Sequence, residues 1–263
     1  MRHAVRLFLL FSLFLGSCMP AAANSAPESQ TLIVFAAASL TDAFTEIGKN
    51  FEAKNPDVTL TFNFAGSQSL RTQIEEGAPA DVFASANKTE MEMLVSGAHV
   101  EEDTPQIFLQ NKLVVILPAS NPAGLSRLED LVNTGIKFVI AAEEVPVGKY
   151  TRQALDLMNG PFGTDFKDKA LANVVSNEDN VRQVVAKVQL GEADAGIVYT
   201  SDVVAAPDLK TVEIPTDLNI IAEYPIAKLS QSSHADLADA FITFVLSDEG
   251  QSVLQKWGFS PVP

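Results

Sequence analysis

Apolar positions along the chain form short continuous runs that alternate with segments of helical periodicity. Runs such as Leu32–Ala36 and Gly196–Tyr199 are typical of buried strands. Segments such as Leu40–Lys54 and Val181–Leu190 repeat apolar residues every three or four positions, which indicates amphipathic helices. The alternation of the two patterns predicts an α/β fold.

The same reading gives the extent of each element. The predicted strands are Leu32–Ala36, Thr59–Asn63, Val82–Ser85, Leu113–Leu117, Lys137–Ala141, Gly196–Tyr199 and Tyr224–Ala227. The predicted helices are Leu40–Lys54, Ser69–Glu76, Lys88–Ser96, Leu128–Asn133, Lys149–Asn159, Val181–Leu190 and Ala235–Trp257, the last with a break near Asp248. The stretch from Asn159 to Lys169 is predicted to form a surface loop.

The first 23 residues have the pattern of a secretory signal peptide. Arg2 and Arg6 precede an apolar run at residues 7–15, which is too short to span a bilayer, and Ala21–Ala23 supplies small residues for cleavage. This predicts release into the periplasm. Cys18 follows a Leu-Gly-Ser sequence that resembles a bacterial lipobox, so a lipid anchor through Cys18 is the alternative. It is the chain's single cysteine, so the folded part needs no disulfide.

Composition and charge narrow the classes of partner. The chain has 263 residues, of which 47% are hydrophobic and 19% are charged, as expected of a soluble protein with a core. The net charge is −15, and such a surface repels nucleic acid and anionic lipid headgroups. We therefore expect no nucleic-acid or membrane-surface partner. The same field repels an anionic ligand at long range, so an anion site here needs strong local donors.

One pattern of residues occurs twice. A strand ends in Ala36–Ala38 and is followed by Ser39 and a helix, and a second strand ends in Ala65-Gly66 and is followed by Ser67 and a helix. Helix N-termini bind anions through unpaired N–H groups, and ligands of α/β sheets bind beyond the carboxyl ends of strands. A serine is also an ordinary N-cap. Because the pattern occurs twice, it favours an anion site.

Three further stretches offer hydrogen-bond donors. Residues 145–150 (VPVGKY) lead into a helix, and Gly148 is expected to leave room for a ligand. Residues 177–182 (NEDNVR) begin another helix, and Tyr199 ends a strand. Taken alone, the first two are also compatible with ordinary helix caps. Tyr199 alone is also compatible with a core ring whose hydroxyl reaches water.

Enzyme signatures are weak. His99 and His234 are far apart, and the sequence contains neither a G-x-S-x-G elbow, a Walker A motif nor G-x-G-x-x-G. The remaining enzymatic alternative is a hydrolase with Ser39 or Ser67 as nucleophile and Lys149 as base. We therefore predict a binding protein that is not an enzyme, with no cofactor and no direct bond between protein and metal.

Four motifs carry a resemblance to a known family. They are VFAAASL at 34–40, GAPADVF at 77–83, VPVGKY at 145–150 and GIVYTSD at 196–202. With them, the chain from Leu32 to Phe259 resembles the periplasmic molybdate-binding proteins of ABC transporters. The stretch from Asp248 to Phe259 is shared more widely among solute-binding proteins.

The resemblance implies a two-lobed periplasmic-binding-protein fold of type II, with the ligand in the cleft between the lobes. One lobe would comprise residues 31–118 and 220–263, and the other residues 119–219. A monomer would bind molybdate or tungstate and deliver it to a membrane permease. The implied ligand-binding residues are Ser39, Ser67, Val147, Val181 and Tyr199. Sulfate as ligand, and a sensor or interaction protein on the same fold, remain alternatives.

The chain also departs from the family pattern. Val147 stands where alanine is common, which a backbone donor tolerates. Gly66 and Gln68 flank Ser67 where serines are frequent, so the position of the second serine contact is open. Residues 159–169 resemble an insertion.

Overall fold

The computed structural model describes residues 29–262, so the predicted signal peptide and Cys18 lie outside the described residues. Within this range, the strands are β1 Gln30–Ala37, β2 Val58–Ala65, β3 Val82–Ala84, β4 Gln106–Leu117, β5 Phe138–Ala141, β6 Val174–Glu178, β7 Ala195–Tyr199, β8 Lys210–Glu213 and β9 Ile221–Lys228. The helices are α1 Thr41–Lys54, α2 Ser67–Glu75, α3 Lys88–Ser96, α4 Pro146–Phe162, α5 Phe166–Ala172, α6 Val181–Gln189, α7 Thr200–Val204, α8 Ala235–Leu246 and α9 Asp248–Lys256. Short 3-10 turns lie at Ala38–Leu40, Leu128–Val132 and Thr216–Leu218. The predicted α/β fold is confirmed.

The strands form two half-sheets that share β4. The order is β2-β1-β3-β9-β4-β7-β5-β6, with β8 also paired to β4. Residues 106–112 of β4 pair with β9, whereas residues 113–117 pair with β7 and β8. We call β2, β1, β3, β9 and residues 106–112 the first half-sheet. The second half-sheet comprises β7, β5, β6, β8 and residues 113–117. The chain passes between them within β4 and again just before β9.

The carboxyl ends of three parallel strands meet at one edge of the first half-sheet. β1 pairs parallel with β2 on one side and with β3 on the other. The register sets Ala37 beside Ala65 and Ala36 beside Ala84. The two strand–serine–helix units therefore open onto the same crevice.

Packing fixes the helices whose N-termini face this edge. On the first half-sheet, Phe44 of α1 contacts Phe108 and Phe241, with ring centroids 5.9 and 6.1 Å apart. On the second, Val184 and Val188 of α6 lie directly over Gly196 of β7, where an added Cβ would be 2.9 and 3.1 Å from their methyl groups. Glycine at 196 thus lets α6 pack close against the sheet, which sets the position of its N-terminus.

The predicted loop at residues 159–169 is wrong. Helix α4 continues through Pro161 to Phe162, and α5 begins at Phe166 after a turn at Gly163, whose φ is +112°. Phe162 and Phe166 pack with ring centroids 5.2 Å apart, and Phe166 is buried. The Gly160-Pro161 pair suggested a loop, but apolar contacts within the segment keep it helical. Sequence reasoning also missed β6 and β8, which are short and carry many polar residues.

The prediction that Gly148 leaves room for a ligand is also wrong. A Cβ at this position would lie 1.9 Å from the carbonyl oxygen of Ala142 and 2.5 Å from that of Ala141. Glycine is required there because the first turn of α4 packs directly on the chain that leaves β5. It therefore positions the N-terminus of α4 without facing the ligand.

Gly148→Ala should destabilise the fold by roughly 1–3 kcal/mol, because neither backbone carbonyl can move without displacing β5. Gly160→Ala, in the same helix, is the matched control. Outside its chain neighbours and the backbone of its own helix, no atom lies within 4 Å of the added Cβ, so the remaining steric cost is crowding by the ring of Pro161. Gly160→Ala should change stability by less than about 1 kcal/mol. Urea denaturation of both variants measures the difference, and equal losses would contradict the packing role of Gly148.

Candidate functional site

A small cavity lies between the two half-sheets at the carboxyl ends of the strands. The cavity has a volume of about 10 Å³, so the site suits a compact group. Among residues 29–262, no charged side chain lines it. The lining residues are Ala37, Ala38, Ser39, Ala65, Gly66, Ser67, Ala86, Val145, Pro146, Val147, Asn180, Val181 and Tyr199. The structure therefore brings together all five residues of the predicted site.

Ser39 and Ser67 enter the cavity from the first half-sheet. Ser39 lies in the 3-10 turn after β1 and is 4% exposed, with its Oγ 2.9 Å from the hydroxyl of Tyr224. Ser67 is the first residue of α2 and is 1% exposed, and its Oγ accepts a hydrogen bond of 3.0 Å from the N–H of Ala86. Neither serine side chain caps a helix. The ordinary-cap interpretation is therefore wrong for both.

Val147 and Val181 enter from the second half-sheet at helix starts. Val147 is the second residue of α4, after Pro146, and Val181 is the first residue of α6. The side chain of Asn180 accepts from the N–H of Gln183 at 3.2 Å, which satisfies a donor farther into α6. The first N–H groups of a helix have no partner within it, so both valines bring free backbone donors to the cavity. Aligned peptide dipoles add partial positive charge there.

Tyr199 completes the lining at the end of β7. Its hydroxyl is buried, and although the phenol of Tyr224 lies close by, the hydroxyl has no hydrogen bond of good geometry to any residue between 29 and 262. Burial, helped by the nearby phenol of Tyr224, raises the pKa of Tyr199 well above its usual value, so the hydroxyl keeps its proton. A buried hydroxyl without a partner is rare in a folded protein and implies a ligand or water as acceptor. The alternative of a hydroxyl in bulk water is wrong.

Arg182 joins the two halves beside the cavity without lining it. Its Nε donates to the carbonyl oxygen of Ala38 at 3.2 Å, and its guanidinium pairs with Asp42 of α1. A second crossing contact runs from Gln68 Nε2 to the carbonyl oxygen of Asp179 at 3.1 Å. These bonds hold the start of α6 against the turn after β1 and so hold the cavity closed.

Asp202 is a buried carboxyl under the same site. Its Oδ2 accepts from the N–H of Tyr199 at 3.0 Å, and its Oδ1 lies 3.5 Å from Nε of Arg182. Burial raises the pKa of Asp202 to about 7, against the opposing effect of Arg182. Because this exceeds the pKa of an unfolded aspartate, about 3.9, the protonated form is favoured by folding. Its contribution to stability is full at low pH and declines as pH rises through about 7.

Asp202→Asn should remove this titration while keeping an acceptor for Tyr199. The stability of the native protein minus that of the variant should fall between about pH 4 and pH 7, with a slope of up to about 1.4 kcal/mol per pH unit. Urea denaturation across that range measures it, and the subtraction cancels the other titrating groups. A difference that stays flat or rises would mean that Asp202 is ionised in the folded protein at low pH.

Two cationic residues near the site, Arg71 and Lys149, lie outside the cavity lining. Arg71 pairs with Glu90 at 2.7 Å and with Glu75, and Lys149 Nζ is 3.5 Å from the hydroxyl of Thr89. Neither serine hydroxyl is hydrogen-bonded to Lys149 in residues 29–262, so the nucleophile–base pair of a hydrolase is not formed there. The same residues contain no group of three side chains suited to a metal ion, and none of their helices has the length and apolar character to cross a bilayer.

Sequence reasoning missed Ala86 and Asn180 as lining residues. Ala86 follows β3, which lies beside β1, so its strand end reaches the same edge. The Ser-Ala sequence at 85–86 repeats the pattern of small residues and serine beyond a strand, and this signal was sufficient to find it. Asn180 carried a helix-cap signal, and the structure shows that it caps α6 and lines the cavity at once.

Known proteins are similar to this chain over most of its length. Residues 32–260 match the model of a family described as bacterial extracellular solute-binding protein. The chain belongs to this family. A solute-binding protein from Mycobacterium tuberculosis H37Rv, named molybdate-binding protein ModA, is 37% identical over 248 residues, covering 93% of this chain and 91% of that protein. The protein of the same name from Escherichia coli K12 is 33% identical over 258 residues, covering 95% of this chain and 97% of its own.

Solved structures of solute-binding proteins share the fold. The periplasmic molybdate-binding protein of Azotobacter vinelandii superposes with a TM-score of 0.77 at 19% identity, covering 88% of this chain and 99% of that one. The two-lobed fold expected from the motifs is thereby confirmed, as is the resemblance to molybdate-binding members of the family.

Proposed function

We propose that this solute-binding protein binds molybdate, and also tungstate, in the cavity between the half-sheets and delivers it to the permease of an ABC transporter. The observation that carries the proposal is the chemistry of the lining, which offers hydrogen-bond donors and no carboxylate. The names of the relatives at 33–37% identity support molybdate as the ligand.

The proposed ligand contacts use neutral groups. Ser39 and Ser67 donate from their hydroxyls, Val147 and Val181 from their backbone N–H groups, and Tyr199 from its phenol. A dianion is stable among neutral donors when they are fixed in advance and shielded from water, because a low local dielectric strengthens each hydrogen bond. The negative net charge of the chain then affects the encounter with the ligand more than the bound state.

Selectivity follows from size and protonation. Molybdate, tungstate and sulfate are all dianions at neutral pH, so charge does not separate them. Sulfate is the smallest of the three, and in a rigid cavity it makes longer and weaker hydrogen bonds. Phosphate usually carries a proton, which needs an acceptor, and among residues 29–262 no carboxylate lines the cavity to provide one. Sulfate remains the alternative ligand that an experiment has to exclude.

The lobes are proposed to follow the division given by the motifs, with residues 31–118 and 220–263 in one and residues 119–219 in the other. The sharing of β4 between the half-sheets supports two lobes joined at that strand. We also propose that the protein acts as a monomer in the periplasm, released after residue 23 or anchored through Cys18. Its folded part uses no cofactor and performs no catalysis.

Titration calorimetry with the purified protein tests the ligand. Molybdate and tungstate should bind with one site, and sulfate should bind at least about tenfold more weakly, which corresponds to about 1.4 kcal/mol. Elemental analysis of the protein as purified gives an independent reading of bound molybdenum. Equal affinity for sulfate would contradict the size argument, and turnover of an ester substrate would favour the hydrolase alternative.

A further inference from the structure

We propose that Tyr224, which does not line the cavity, fixes Ser39 as a hydrogen-bond donor and thereby makes the site selective for oxyanions that carry no proton. The inference rests on the proposed function, because it concerns the same oxyanion site. Tyr224 would act as a positioning residue, since its effect on the ligand passes through Ser39.

The geometry places the phenol directly behind the serine. Tyr224 belongs to β9 of the first half-sheet and is fully buried, and its hydroxyl lies 2.9 Å from Oγ of Ser39. Its ring packs edge-on against Tyr199, with centroids 5.8 Å apart, and against Phe259 at 5.9 Å. With its ring held on two sides, the phenol has little freedom to leave Ser39.

The phenol is the donor in this pair. A phenol is more acidic than an aliphatic hydroxyl and so is the better donor of the two. Burial raises the pKa of Tyr224 well above its usual value, which keeps the proton in place. The amide of Asn111 donates one N–H to Ser201 at 2.8 Å and accepts from Thr200 at 3.0 Å, and its second N–H is left beside the phenol oxygen of Tyr224. An N–H can only donate, so it occupies the phenol oxygen as acceptor and leaves the phenol proton for Ser39. When Ser39 Oγ accepts from the phenol, its own proton is left for the cavity.

Ser67 provides an internal comparison. Its Oγ accepts from the backbone N–H of Ala86, a group that can only donate. The Ser67 proton is therefore also left for the cavity. The phenol of Tyr224 has the same effect on Ser39. Unlike a backbone N–H, the phenol hydroxyl can be removed by mutation without altering the backbone.

This arrangement has a consequence for protonated anions. A monoprotonated oxyanion such as hydrogenphosphate must place its own O–H against an acceptor or bury it unpaired at a cost. While it accepts from Tyr224, Ser39 can also accept from the ligand only by turning its own proton away from the cavity, into buried surroundings where residues 29–262 offer no further partner for it. Without the phenol, Ser39 can rotate and either donate or accept.

The test compares Tyr224→Phe with Tyr150→Phe, a matched change at a half-buried tyrosine that does not line the cavity. Calorimetry measures binding of molybdate, and competition measures binding of phosphate at fixed pH. In Tyr224→Phe, molybdate affinity should fall about 3- to 10-fold, the range for one uncharged hydrogen bond. Phosphate affinity should stay equal or rise, so the preference for molybdate falls by at least that factor. Tyr150→Phe should change neither.

A double-mutant cycle separates positioning from a general structural effect. Tyr224→Phe should weaken molybdate binding in the native background and have little further effect in Ser39→Ala, since the contact is already lost. Independent, additive losses would overturn the inference, as would an equal loss for molybdate and phosphate. If neither protein binds phosphate, the cycle alone decides. Failure of the native protein to bind molybdate or tungstate would instead refute the proposed function.

Discussion

Replacing both Ser39 and Ser67 by alanine is expected to weaken molybdate binding by roughly 2–6 kcal/mol, because each buried hydroxyl that no longer donates to a dianion costs about 1–3 kcal/mol. Each single variant should lose about half of the total. Both serines are almost fully buried, and neither caps a helix, so their hydroxyls are available to a ligand. Calorimetry with molybdate measures the loss.

Stability has to be followed in the same variants. Ser67→Ala leaves the N–H of Ala86 without its acceptor, so the unliganded protein should also lose about 1–3 kcal/mol. Ser201→Ala is the matched control, since Ser201 is 3% exposed and accepts one hydrogen bond from Asn111 but does not line the cavity. It should reduce stability and leave affinity unchanged.

The opposite pattern would identify a different kind of site. If Arg71→Ala or Arg182→Ala abolished binding while both serine variants bound normally, charge pairing would hold the ligand. The structure argues against this, because both arginines are paired with carboxylates. Arg182→Ala should still have some effect, since it removes the bonds that join α6 to the turn after β1.

Local sequence pattern was sufficient to predict the general location of the site. Strand ends, small residues and helix starts are encoded within about ten residues, and the parallel pairing of β1 with β2 follows from their alternation with helices. The stretches at 145–150, 177–182 and 196–202 located the remaining donors. The five predicted residues lie together because each marks the end of a strand or the start of a helix that faces the same crevice.

Contacts between distant parts of the chain could not be predicted in this way. Tyr224 lies behind Ser39 although 185 positions separate them, and Arg182 reaches Ala38 across 144 positions. Nothing in the local pattern around Tyr224 distinguishes it from a core tyrosine. Gly148 shows a related difficulty. The sequence indicated that another group packs closely against this glycine, but it did not show which group. In the structure it is the backbone at Ala141 and Ala142.

A backbone N–H donor is expected to contribute as much to molybdate binding as a serine hydroxyl. Val181→Pro tests this, because it removes one backbone N–H and no side-chain donor. Val181 is the first residue of α6, where proline is favoured and the missing N–H has no helical partner to lose. The preceding residue, Asn180, has φ −161° and ψ 169°, an extended conformation that tolerates a following proline. The fold should therefore keep its stability to within about 1 kcal/mol.

Binding should nevertheless fall by about 1–3 kcal/mol in Val181→Pro, because one N–H is withdrawn from the dianion. Val181→Ala provides the reverse case, since it keeps the N–H and removes buried methyl groups. It should lower stability by roughly 1–2 kcal/mol and leave affinity nearly unchanged. If the backbone N–H binds the ligand, calorimetry should find the lower affinity in Val181→Pro, and urea denaturation should find the lower stability in Val181→Ala. If the alanine variant loses the affinity and the proline variant keeps it, the side chain of Val181 shapes the cavity and its N–H does not bind the ligand.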